Sequence, residues 1–120
     1  SRVGQGQYRN NLERHESGCR ITGITDKRFL TASHIKPWAK SNDFEKLDGN
    51  NGLLLSPHID RLFDRGYISL QDNGQLIFSS LLPSDVITAW GLNNPAKVKP
   101  LTSKQSFYMN FHRSEIFRHG

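Results

Sequence analysis

The chain has 120 residues, enough for one domain with one core, and 35% of them are hydrophobic, so a modest core and plentiful loops are expected. Sixteen Lys and Arg against eleven Asp and Glu give a formal charge of +5, which points to an anionic partner, nucleic acid first, with a merely solvated basic surface as an equal alternative on charge alone. No apolar run approaches the roughly 18 residues of a membrane span, and the single cysteine, Cys19, excludes an internal disulfide and a CxxC zinc ribbon, so a reducing cytoplasmic setting is expected.

In chain order, "SRVG" (1–4) reads as a linker end and 5–120 as a single domain. "QGQYRNNLERHES" reads as a helix, with Tyr8 and Leu12 spaced i,i+4 and Gly18 placed to stop it. "CRITGITDKRFLTASHI" alternates around a "TGITDK" turn and predicts a hairpin whose second arm runs from Phe29 to Ile35. "KPWAKSNDFEKLDGN" is polar and broken by Pro37 and Gly49, so a loop with at most one helical turn is expected; "GLLL" is a second short strand. After it Ser56 can cap a helix, Pro57 suits its first position and Gly66 suits the position past its end. "YISLQDNGQLIFSS" predicts a hairpin, "PSDVITAWG" a short capped helix, and "SKQSFYMNFHRSEIFRHG" a basic, aromatic-rich helix with an untidy amphipathic pattern. The fold class is therefore α+β, without repeats. Ser1 is not a natural start, so the chain is expected to be part of a longer protein and the lack of a signal peptide carries little weight.

The chemistry-bearing residues concentrate in the middle of the chain. His34 ends one strand, Asn51 opens the next, and His58, Asp60 and Asp64 lie on the helix that follows. In that helix Ile59, Leu62 and Phe63 fall at i, i+3, i+4 as a core face, while Asp60 and Asp64 share a side about 100° away. Hydrolysis of a phosphodiester needs a base to activate water, a group to hold that base, and a cation to offset charge on the phosphate and the leaving oxygen. A neutral imidazole suits the first task near pH 7, and a hard ion such as Mg²⁺ or Mn²⁺ suits the last, taking one or two carboxylates plus waters and phosphate oxygens.

Taken together, "TASHIKPW…NNGLLLSPHIDRLFDRGYIS" resembles the HNH endonuclease family, in which a ββα-metal motif runs His, then Asn, then a helical metal ligand. Asn51 and Asp60 are nine positions apart, the family's spacing, and Asp64 stands one turn later, where some members carry a second ligand. "GQGQYRNNL", "CRITG" and "FHRSEIFR" look like the flanks of a restriction-type branch, in which this domain often follows a separate DNA-reading domain. The resemblance implies an α+β ββα-metal core with flanking helices and an extra hairpin, acting on DNA. It also implies that the present chain is the C-terminal catalytic part of a longer protein. Residue by residue, it implies His34 as general base, Asn51 as the residue ordering the loop behind it, Asp60 as metal ligand, and Asp64 as a second ligand or its support. Two positions depart from the pattern. Ser33 stands where many members carry a ligating Asp or His, and Asp60 replaces the commoner helical His. An all-oxygen site leans towards Mg²⁺ or Mn²⁺ and away from Zn²⁺, with His58 open as a further ligand or as a phosphate contact at the helix N-terminus.

Each residue also has a plainer role: a hydrogen-bonded strand-end histidine for His34, a turn residue in "DGNNG" for Asn51, a solvated partner of Arg61 or Arg65 for Asp60, and a helix cap for His58. Lys36, Lys40, Arg61 and Arg65 flank the site and are candidate phosphate contacts or simply a solvated face. Trp38 is expected to be a packing anchor. The reading that follows is a metal-dependent DNA endonuclease of a restriction or DNA-defence system, cutting one strand per site and so needing a dimer, or two nicks, to break a duplex. Its rivals are a non-catalytic nucleic-acid-binding module of the same fold, a structural or protein-interaction domain, and a secreted antibacterial nuclease toxin.

Overall fold

The computed structural model of the chain describes residues 2–120. Helix α1 (Arg2–Glu13) begins ahead of the expected start, so residues 2–4, read as a linker end, are helical; Ser1 lies outside the described residues. Its apolar pair, Tyr8 and Leu12, is buried as the spacing predicts.

The first expected hairpin is not formed. Residues 19–26 close a turn, in which the Cys19 carbonyl accepts from Gly23 N–H, and Cys19 N–H donates to the Ile24 carbonyl. The carbonyls of Arg20 and Ile21 are then taken by the amides of Lys97 and Ala96. Cys19 and Ile21 are apolar because that distant loop and the core bury them, and not because they line a strand. The true partner of β1 (Thr31–His34) is β2 (Gly52–Leu55), antiparallel, with Thr31 opposite Leu55 and His34 opposite Gly52.

Register decides which side chains share a face. Directly opposed residues point the same way, so Ala32, His34, Gly52 and Leu54 form one face, while Thr31, Ser33, Leu53 and Leu55 form the other. Helix α1 packs on both strands and α3 (Pro57–Asp64) packs on β1. A sheet covered on both sides needs no polar alternation, which is why three consecutive leucines, Leu53 to Leu55, are each at most 1% exposed. Burying one such side chain stabilises the fold by roughly 1.5–3 kcal/mol.

Between β1 and β2, where a loop with at most one helical turn is expected, the chain forms the five-residue helix α2 (Asp43–Leu47). Asn42 accepts from Glu45 N–H while the Glu45 carboxylate accepts from Asn42 N–H, a reciprocal capping box that the spacing N-x-x-E announces. Helix α3 starts at Pro57 as expected, although the Ser56 hydroxyl is engaged with Thr22 Oγ1 at 2.7 Å and makes no cap bond. The hairpin β3 (Ile68–Leu70) with β4 (Leu76–Phe78) and the short helix α4 (Ser84–Ala89) form as expected.

Helix α5 (Ser103–Phe111) widens into a π turn at His112–Ile116. Its pattern looked untidy because polar side chains anchor it. Gln105 donates to Glu16, which is itself held by both guanidinium ends of Arg20 at 3.0 Å, with both charged side chains no more than 5% exposed. His112, 1% exposed, stacks on Phe63 at 3.9 Å and donates from Nε2 to the Phe63 carbonyl, while Nδ1 accepts from the Ser69 hydroxyl. The C-terminal helix is thereby fastened to the end of α3 and to β3.

Candidate active site

His34 occupies the last position of β1, on the face towards α1. Its ring stacks on Tyr8 at 3.7 Å and meets Trp38 edge-on at 5.6 Å. Nε2 lies 2.9 Å from the Lys46 carbonyl oxygen. A carbonyl only accepts, so Nε2 carries the proton and Nδ1 keeps its lone pair. Nδ1 has no hydrogen-bond partner among the described residues, and no buried side-chain nitrogen there lacks one, so this lone pair touches solvent. Burial holds the His34 pKa below the ordinary imidazole value, and the bond to the Lys46 carbonyl reverses only part of that. The ring is neutral and oriented, beside a cleft of about 590 Å³ that Tyr8, Arg9 and Trp38 also line and that neither Asp60 nor Asp64 reaches.

Asn51 is completely buried. Its Oδ1 accepts from Lys36 N–H at 2.8 Å, and its Nδ2 donates to the Glu45 carbonyl at 3.0 Å, with longer contacts to the Lys36 carbonyl and Ser41 Oγ. One side chain therefore ties the exit of β1 to α2, the helix whose Lys46 carbonyl fixes His34. Tyr8 completes the arrangement by donating its hydroxyl to the Asn51 carbonyl at 2.7 Å. Gly52 makes room for it, since a Cβ there would collide with that hydroxyl.

On the opposite face, Ser33 is buried and its hydroxyl acts on the Asp60 carboxylate to favour its charged form. Burial raises the Asp60 pKa, the Ser33 hydroxyl opposes this, and the charge on Asp64 adds to the rise. A carboxylate made reluctant to ionise by burial first and by a neighbour of like charge second is stabilised in its charged form by a nearby cation. Among the described residues no three His, Cys, Asp or Glu side chains gather, so the carboxylates that could serve an ion here are Asp60 and Asp64. That set fits Mg²⁺ or Mn²⁺, which keep several waters and take phosphate oxygens, better than a protein-built zinc cage.

His58 does not join them. Successive helical residues turn about 100°, so a residue two before Asp60 points to another side of α3, and the His58 ring packs at right angles on Trp90 at 5.2 Å. Lys36 is engaged too: its ammonium pairs with Glu45 at 3.0 Å and lies 5.3 Å from the Phe111 ring centre. Lys40, Arg61 and Arg65 are exposed, and among the described residues none of the three is in an ion pair. Asp60 likewise has no pairing with Arg61 or Arg65.

Sequence reasoning missed three contributors: Tyr8, the Lys46 carbonyl and the Ser33 hydroxyl. Only Ser33 left a signal, as the odd residue before His34. The other two depend on how α1 and α2 pack on the hairpin.

No curated protein matches the chain. Residues 19–71 match the model of a family described as HNH endonuclease. That stretch contains the β1–β2 hairpin, Asn51 and all of α3, so the likeness to HNH endonucleases falls on the two strands and the helix that build the candidate site.

Proposed function

We propose that the chain is the catalytic domain of a metal-dependent DNA endonuclease, acting in a cytoplasmic restriction or DNA-defence system and joined in the full protein to a DNA-reading domain. The observation that carries this reading is the tautomer of His34: with Nε2–H held by the Lys46 carbonyl, Nδ1 is left free to take a proton from water. Asn51 fastens the segments on either side, so the ring needs little reorganisation when the proton moves. Asp60 with Asp64, on the other face of the hairpin from His34, would hold a divalent cation that supplies positive charge to the scissile phosphate and the leaving oxygen, so the substrate must reach across the strand end to meet both. The Ser33 hydroxyl favours the charged form of Asp60, and Lys40, Arg61 and Arg65 add phosphate contacts that read no sequence. One such site breaks one strand, so a double-strand cut takes two copies or two successive events.

The test is incubation of supercoiled plasmid with Mg²⁺ or Mn²⁺, with and without EDTA. The wild type is expected to nick, EDTA to stop it, and His34→Ala and Asp60→Asn each to lower the rate by at least two orders of magnitude while duplex binding persists. A wild type that retards DNA on a gel and never nicks it identifies a binding module instead.

A further inference from the structure

Helix α3 turns a second face to solvent, and it is not acidic. Arg61 and Arg65, spaced i,i+4 beside Asp60 and Asp64, border a groove of about 400 Å³ between α3 and the segment that runs into α4. Its walls are Tyr67, Leu81, Val86 and Trp90, and among the described residues no Asp or Glu lines it. Leu81 is 53% exposed and Trp90 39%. The indole is fixed from one side by the perpendicular ring of His58. A third cation closes the rim: Arg118 lies 5.1 Å from the Tyr67 ring centre and donates from Nε to the Arg65 carbonyl.

An apolar slot with an aromatic ring, rimmed by cations that no carboxylate neutralises, does not suit a neutral peptide. Binding to single-stranded nucleic acid combines these same two elements, rings that stack bases and positive charge that follows the backbone. The charge and the aromatic surface here stand on the same helix as the carboxylates proposed to hold the ion. We infer that the groove takes an unstacked base of the substrate strand, a few nucleotides from the cut, with the base against Trp90 and its flanking phosphates on Arg61 and Arg65. This inference rests on the nuclease reading above and adds to it a preference for locally opened DNA.

The full chain can be tested in EDTA, where binding is read without cleavage. The probes are a labelled oligothymidylate and a duplex of equal length, followed by fluorescence anisotropy. Trp90→Leu is expected to weaken single-strand binding roughly tenfold while changing duplex binding less than twofold. Trp90→Phe, which keeps an aromatic face, is expected to restore most of the loss; equal unfolding midpoints for the two variants separate stacking from misfolding. Replacing both Arg61 and Arg65 by Gln is expected to weaken both probes and flatten the salt dependence. If Trp90→Leu binds the single strand like the wild type, or Trp90→Phe is as weak as Trp90→Leu, the groove does not stack a base. If the wild type nicks plasmid and binds duplex while those tryptophan results fail, only this inference falls. If it binds neither probe, the nuclease reading falls with it.

Discussion

His112 provides the most quantitative test of how the C-terminal helix is held. Burial against Phe63 pulls its pKa down to about 4, with the Phe63 carbonyl resisting the shift, against roughly 6.5 for an unfolded imidazole. Because the folded value is the lower one, the unfolded chain binds the proton first as pH falls. The neutral ring's contribution is therefore complete above about pH 6.5 and is lost as pH drops towards about 4. Two and a half units correspond to about 3 kcal/mol in full, of which about 2 kcal/mol is lost between pH 7 and pH 5. That is a large share of a typical 5–15 kcal/mol. The assay is urea unfolding followed by circular dichroism at pH 7, 6 and 5, on the wild type and on His112→Gln, whose amide can still donate to the Phe63 carbonyl. The variant is expected to be weaker at pH 7, having lost the stack, yet to lose about 2 kcal/mol less over the same interval. Parallel pH dependences for the two proteins would mean that His112 is not the group that senses acid, and that its burial is less complete than its packing implies.

Three further outcomes are expected. The acid limb of the cleavage rate against pH should have its midpoint below about 6.5, because burial keeps the His34 ring neutral in mild acid; a midpoint at or above that value would contradict the geometry. Asn51→Ala leaves the Lys36 amide and the Glu45 carbonyl without their buried partner, and should destabilise the fold by about 2–4 kcal/mol in urea melts and lower nicking in the fraction that stays folded; a change below about 0.5 kcal/mol would refute its role as a fastener. Arg20→Met strands the buried Glu16 carboxylate and should cost about 3–5 kcal/mol, most of it recovered when Glu16→Leu is added; failure of that rescue would locate the loss in packing alone.

The parts of the fold written in local spacing were legible in the sequence. Asn-Gly flanked by alternating arms made β3–β4 readable, and Pro57 with Gly66 bounded α3, because turn and cap chemistry acts within a few residues. The β1–β2 pairing was misread at its first arm because Cys19 and Ile21 obtain their burial from residues far along the chain. Helix α2 runs slightly longer than the single turn expected there, because Asn42 and Glu45 cap it between the breaks at Pro37 and Gly49. For the candidate site, order and spacing pick out His34, Asn51 and Asp60 as the residues to place, whereas the position of His58 depends on the turn of a helix and the presence of Trp90. What holds His34 in its tautomer is a main-chain carbonyl, and no side-chain letter reports that.

The stack of Tyr8 under His34 has a consequence for where the working unit ends. Tyr8 precedes the matched residues 19–71 and His112 follows them, yet one desolvates the imidazole and the other clamps the helix that bears the carboxylates. A protein trimmed to the recognisable stretch would keep the signature residues and lose the surfaces that tune them. In this chain the flanks on either side bury the His34 ring and fasten the helix that bears Asp60.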